Sequence, residues 1–445
     1  MIVSRPQTLR YLGPKRNKGK CKWRLDFNID DIPYSAFYNP PAPSRNSITD
    51  QDVNLLAIPL IIDLTADVKP KQVIIQNPAG LTDFTELYTD AVTALLNEQA
   101  AEWKTPPACD VPTLHCRWRP PKRSKKKETL NEVVVGFSGG KDSIVTIFTL
   151  LEAGYHVHPF LLNEGDRTWQ QHRTWITRLK RLGLNPVVSY FLTSRRKKLT
   201  DSFGQKYLSC YQIGFLVAAM AVYAEKMGIN RVVLGIENSP EKSGFFYGRT
   251  FINHQHQKTR AHLNIMEKTF RKALNIKLRI ASPIAGLTDS EVLGFMLDKV
   301  PGRFQNFSSC GAANSSSRHC GCCDKCAFVF ALLQKTKKGR RLSHELFKRD
   351  LFYDVEIYRP WLDRRFRNPI ACIGSRQEVW TSFEQNLLTG SDKPVLDKWR
   401  LSTTRKIYLL TKRPLKKTKE NSLEKPVILA SRIVKNWKNT NKSPV

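Results

Sequence analysis

The sequence predicts an α/β protein built on a doubly wound parallel sheet, preceded by a small α+β unit and followed by a cysteine-stapled segment. Three observations carry this. Between residues 131 and 305, short apolar strands alternate with helix-length stretches, the pattern of parallel strands buried on both faces and joined by helical crossovers. The first strand runs directly into a double-glycine turn and a helix, VVVGFSGGKDSIVTIFTLL. Five of the ten cysteines fall between 310 and 326, a clustering that suits a metal site in a reducing, cytoplasmic compartment rather than a secreted disulfide framework.

In chain order, residues 1–118 read as the small α+β unit. KWRLDFNI and KQVIIQ have strand patterns around the long apolar segment DVNLLAIPLIIDLTADV, and FTELYTDAVTALLNEQAAEW reads as a helix. A basic linker rich in proline and lysine spans 119–130. EVVVGF, HVHPFLL, NPVVSYF, RVVLGI and LRIASPI then read as strands, with YQIGFLVAAMAVYAEKMG and TDSEVLGFMLDKV among the helices between and after them. Residues 306–390 hold the cysteine cluster and a helical part, and 391–445 form a basic tail.

The chain has 445 residues, 41% of them hydrophobic, enough for two or three buried cores. No run of apolar residues reaches the length of a membrane span. The N-terminus is basic and lacks the apolar centre of a secretory signal; an organelle transit peptide stays open. The net charge of +33 is uneven: residues 396–445 hold fourteen Lys and Arg against Asp397, Glu420 and Glu424. Two readings of the tail stand side by side. It either attracts a polyanion, nucleic acid or an acidic protein, or is a solvated tail without a partner.

The turn at 138–143 has a chemical reading. Glycines where a strand becomes a helix let backbone N–H groups approach a ligand, and the helix N-terminus adds partial positive charge, so the turn favours phosphate. The GxxxxGK[ST] spacing is missing. Ser-Gly-Gly-x-Asp-Ser after a first parallel strand resembles instead the pyrophosphate loop of the adenine-nucleotide α-hydrolase (PP-loop) superfamily, whose members cleave ATP to AMP and pyrophosphate. The resemblance implies that Ser138, Gly139, Gly140 and Ser143 cradle pyrophosphate, that Asp142 holds Mg²⁺, and that Lys141 places a charge at the α-phosphate.

Cys310, Cys320, Cys323 and Cys326 stand as C-x9-C-x2-C-x2-C, a set able to close a tetrahedron around Zn²⁺, with Cys322 as a spectator. Four thiolates leave no open position, so the zinc is structural; an iron–sulfur cluster or free thiols are the alternatives. Loop and knuckle together resemble the 7-cyano-7-deazaguanine synthases over about 131–330. A longer resemblance, over about 131–378, is to the UDP-N-acetyl-α-D-muramoyl-L-alanyl-L-glutamate epimerases of peptidoglycan precursor synthesis. It rests on GGKDS, INHQHQK at 252–258, the knuckle, LFKRDLFYD and CIGSRQE. YLSCYQIGF and ENSPEKSGFFYG depart from the forms expected there, so nucleotide chemistry transfers better than the acceptor.

These resemblances imply ATP-dependent adenylation of a substrate carboxylate, on either the terminal L-glutamate of a UDP-muramoyl dipeptide or a deazaguanine. A nucleic-acid-binding protein that only senses ATP is the reading from another class. Asn253, His254 and Lys258 are candidates to bind the acceptor, and His254 to deprotonate it, since imidazole titrates near neutrality. The bland alternative leaves His254 and His256 as surface or structurally bonded residues. Glu237, just past a strand end, joins Lys141, Asp142 and His254 as a catalytic candidate.

Overall fold

The structure, a computed structural model, describes residues 6–17, 22–30, 32–41, 47–106, 110–119, 129, 131–163, 166–193, 211–242, 244–310, 319–363, 373–411, 432–437 and 439. The linker at 120–128, the YLSC of YLSCYQIGF, residues 311–318 and most of the basic tail lie outside them. By internal contacts the chain divides into two units. One draws on residues 1–138, 155–234 and 246–281, the other on residues 139–154, 235–245 and 282–445.

The first unit is organised on one sheet. Its strands are β1 (Thr8–Asn17), β2 (Lys22–Ile29), β3 (Ile32–Asn39), β4 (Gln72–Ile75), β5 (Thr113–Cys116), β6 (Glu132–Gly136), β7 (His156–Asn163), β8 (Val187–Thr193) and β9 (Arg231–Val233). A short hairpin, β10 (Phe245–Tyr247) and β11 (Thr250–Ile252), precedes β12 (Arg279–Ala281). The ten sheet strands run in the order β12-β9-β6-β7-β8-β3-β2-β1-β4-β5. From β12 to β8 every pairing is parallel. β3 then pairs antiparallel with β8, Phe37 opposite Leu192, so the N-terminal strands extend the same sheet. The physical reason lies in β3, which buries Tyr34, Ala36 and Tyr38 on alternate positions and covers what would be the bare edge of the parallel block. β1 to β3 are antiparallel neighbours, and β4 and β5 return parallel to β1. Sequence patterns had pointed to β2 and β4 but not to β1, β3 or β5.

Helices α1 (Asp50–Val68) and α2 (Thr85–Trp103) belong to this unit. The apolar segment read between two strands is α1, started by a Thr49–Asp52 capping box and buried from Asp52 to Val68. In the second unit, α3 (Lys141–Glu152) follows the glycine turn. The first unit continues with α4 (Asp166–Lys180), α5 (Gln212–Met227) and α6 (Arg260–Leu274). The rest of the second unit is helical: α7 (Asp289–Lys299), α8 (Asp324–Leu333), α9 (Lys337–Leu346), α10 (Val355–Leu362), α11 (Arg376–Leu388), α12 (Pro394–Leu401) and α13 (Thr403–Thr411). Its core is aromatic, with Phe352, Tyr358 and Phe383 in mutual ring contact and Trp399 against Phe383. Among the described residues no helix is long and apolar enough to cross a membrane.

Candidate active site and metal knuckle

The turn is built as its residues demand. Gly139 has φ +78°, a left-handed conformation that side chains disfavour. Gly140 is the N-cap of α3, and Ser143 Oγ donates back to the Gly140 carbonyl at 2.9 Å. Ser138 is exposed at the end of the first unit's contribution, whereas Gly139 to Ser143 fall in the second. Gly235 packs on the start of α3 so closely that a Cβ there would lie 2.7 Å from the Asp142 carbonyl carbon.

Lys141 does not project into solvent; it is only 5% exposed. Its ammonium contacts Asp142 Oδ1 at 2.6 Å and the carboxylate of Asp289, the first residue of α7. Buried Glu237 completes the group, accepting from the Ser239 N–H and, at 2.5 Å, from Ser239 Oγ. Burial would discharge Lys141, but the charges of Asp142, Asp289 and Glu237 hold it protonated well above its ordinary range. Burial pushes Asp289 up to about 6 in spite of Lys141, and Glu378 and Asp142 push the same way. Burial and the charge of Asp289 hold Glu237 well above the usual carboxylate range. One ammonium faces three carboxylates, so negative charge is in excess at the head of α3.

Such a cluster suits phosphate only with a divalent cation, since its carboxylates outnumber its cation. Its oxygen donors fit Mg²⁺, and Asp142, with its side chain 32% exposed, is the most open of the three. The sequence singled out Lys141, Asp142 and Glu237, and the second unit brings these together. It did not single out Asp289, whose only local signal is the capping box Thr288–Glu291 that starts α7.

INHQHQK lies in the first unit, at the 3₁₀ turn before α6. Asn253 Oδ1 accepts from Gln255 N at 2.8 Å, and Lys258 Nζ donates to Gln255 Oε1 at 3.3 Å. His254 Nδ1 pairs with Glu98 of α2, a carboxylate that holds the ring. His254 is 28% exposed at its side chain, so solvent reaches it. Glu98 carried no sequence signal beyond its place in a helix.

The four predicted cysteines converge. Their sulfurs lie within 4.8 Å of one another, with Cys310 and Cys323 at 3.6 Å and Cys320 and Cys326 at 3.8 Å. A tetrahedral zinc with Zn–S bonds of about 2.3 Å sets its sulfurs roughly 3.8 Å apart, so the set fits a closed zinc site. Gly321 N–H donates to Cys326 Sγ and Cys322 N–H to Cys320 Sγ, at 3.4 and 3.5 Å. The Cys326 thiol's hydrogen bond draws Cys323 down to about 4, a thiolate ready for metal. Cys322 is exposed, consistent with a spectator.

Two family models match this chain. One, described as queuosine biosynthesis protein QueC, matches residues 132–335. The other, the MurL C-terminal domain, matches residues 305–406. The 7-cyano-7-deazaguanine synthase 1 of Desulfitobacterium hafniense is 27% identical over 214 residues, covering 44% of this chain and 88% of that protein. The UDP-N-acetyl-alpha-D-muramoyl-L-alanyl-L-glutamate epimerase of a Micromonospora species is 24% identical over 356 residues, covering 76% of this chain and 75% of that protein. Both resemblances read from the motifs are therefore matched: the chain is similar to the deazaguanine synthases from the glycine turn through the knuckle, and to the epimerase over about three quarters of its length, with the knuckle and C-terminal helices matching the MurL C-terminal domain.

Proposed function

We propose that the protein splits ATP to AMP and pyrophosphate in order to activate a carboxylate, and that the carboxylate belongs to the terminal L-glutamate of a UDP-N-acetylmuramoyl dipeptide. The observation that carries the ATP half is the glycine turn with Lys141 and Asp142 at the head of α3. The substrate half rests on similarity to an epimerase over three quarters of both chains.

In this reading a carboxylate oxygen attacks the α-phosphorus, the bond to pyrophosphate breaks, and an acyl adenylate forms. This mixed anhydride on the α-carboxyl makes the glutamate Cα–H more acidic. His254, steadied by Glu98, takes that proton; reprotonation on the opposite face gives D-glutamate, and hydrolysis releases AMP. Asn253 and Lys258 bind the acceptor. Ser138, Gly139, Gly140 and Ser143 hold the pyrophosphate, Lys141 counters the charge that develops on it, and Glu237 offers a further carboxylate beside the loop. Mg²⁺, when bound at Asp142, supplies further charge stabilisation on the phosphates.

A second reading is favoured by the match of residues 132–335: the same adenylation applied to a deazaguanine carboxylate. One experiment separates them. ATP turnover is followed with each acceptor, reading AMP against ADP and the chirality of glutamate. AMP formed with the dipeptide, together with D-glutamate, is expected; AMP formed only with the deazapurine transfers the chemistry to the second reading. Asp142→Asn and Lys141→Ala should each lower kcat by about 10²-fold, the scale of one lost electrostatic group. ADP as product, or normal turnover in both variants, overturns the adenylation itself.

A further inference from the structure

We propose that Asp90, His256 and His262 form a second metal site, separate in sequence and ligand type from the cysteine knuckle, that takes a first-row divalent cation through two imidazole nitrogens and one carboxylate oxygen. All three residues belong to the first unit. Asp90 lies on α2, His256 opens the 3₁₀ turn His256–Lys258, and His262 lies in the first turn of α6. Their ligand atoms sit within 4.8 Å of one another. Both imidazoles converge on the same carboxylate oxygen: His256 Nε2 is 2.8 Å and His262 Nδ1 2.5 Å from Asp90 Oδ2.

A tetrahedral ion with bonds of about 2.0–2.2 Å holds such donor atoms roughly 3.3 Å apart. The two imidazole–carboxylate distances therefore need to open by less than about 1 Å, and His256, with 29% of its side chain exposed, has room to do so. The second independent observation is what lies behind His262. Its other nitrogen, Nε2, is 2.5 Å from the hydroxyl of buried Tyr211, and the Tyr211 N–H donates to Asp63 Oδ1 at 3.1 Å. Gly214 makes room for that ring, since a Cβ there would stand 2.0 Å from it. A ligating histidine held through its second nitrogen by an outer partner is the arrangement that fixes tautomer and orientation at metal sites.

The donor set, two nitrogens and one oxygen, suits Zn²⁺ or Co²⁺. Three protein ligands leave a position for water or an anionic oxygen, and Asp90 and His256 are both partly exposed. The site does not depend on the adenylation reading.

The test counts metal in the full-length protein after loading with excess Zn²⁺ and desalting. Two zinc ions per chain are expected. Cys323→Ser should leave one, and Asp90→Asn and His256→Gln should each leave one, held by the cysteines. Tyr211→Phe keeps all three ligands and should weaken the second equivalent by about 10- to 100-fold in competition with a chelator, the scale for losing an outer-shell partner. A wild-type count of one overturns the proposal without recourse to any variant. So does a second equivalent that survives both Asp90→Asn and His256→Gln.

Discussion

At the scale of single residues, the candidate site is shaped by close approach as much as by charge. Gly235 follows the strand-end sequence RVVL and touches the backbone of Asp142 and Ser143. Gly235→Ala inserts one methyl against main chain that cannot rotate away, so the head of α3 must shift. AMP formation should fall at least tenfold, with a stability loss of roughly 1–3 kcal/mol, the usual range for overpacking; kinetics beside urea unfolding measures both. Unchanged kinetics would mean the loop tolerates displacement and does not position phosphate. Gly374 plays a similar part in CIGSRQE, where a Cβ would meet Glu378 Oε2 at 2.4 Å and Asp289 Oδ2 at 2.5 Å. That motif's glutamate is a capping residue: Glu378 accepts from Ser375 N–H at 3.0 Å and, through its other oxygen, from Ser290 N–H at 2.9 Å, serving the starts of α11 and α7 together.

At the scale of elements, α4 gives a pH-dependent test. It buries Trp175, Leu179 and, only 4% exposed, His172. Burial pulls His172 down to about 4, against an ordinary value near 6.5. The sign follows from linkage. Above about 6.5 both folded and unfolded chains carry the neutral ring, and the contribution is complete. As pH falls, the unfolded chain takes up a proton first, so stability is lost down through about 4. The loss is at most roughly 3 kcal/mol, from the difference between the two values. His172→Leu should remove this component. Urea midpoints at pH 7.5 and 4.5 should therefore diverge less in the variant than in the wild type; equal divergence would show that His172 is not held neutral.

At the scale of the whole molecule, the knuckle and the C-terminal helices depend on each other within the second unit. Arg349 of LFKRDLFYD donates to the Gly321 carbonyl at 2.9 Å and to Asp354 Oδ2 at 2.9 Å, tying the cysteine turn to the segment before α10. Asp350 caps Phe352 N–H at 3.0 Å and pairs with Lys393 just before α12. A structural zinc contributes folding free energy directly. Cys323→Ser should therefore lower zinc content by about one equivalent per chain and lower the thermal midpoint, with increased proteolysis across residues 319–411. An iron–sulfur absorption band in the purified protein, or a variant of unchanged metal content, would overturn the assignment.

What the sequence determined by itself is local chemistry. Ser138 to Ser143 are neighbours along the chain, so strand, glycine turn and helix start could be read together, as could the spacing of Cys310, Cys320, Cys323 and Cys326. The strand alternation from EVVVGF to LRIASPI was legible for the same reason, since burial on both faces leaves continuous apolar runs. Tertiary structure decided whatever depends on distant partners. Lys141 reads as a cation for phosphate, yet its neighbours are Asp289 and Glu237, brought in from far along the chain. INHQHQK marks three candidates, but the carboxylates that act on its histidines, Glu98 and Asp90, come from one helix, α2, that carried no functional signal in the sequence. β3 alternates like any half-buried strand, and only its pairing with β8 joins the N-terminal strands to the parallel block. Periodicity and spacing report what a residue's own element does; they carry no information about which distant charge will fold against it, and at a buried site that charge sets the chemistry.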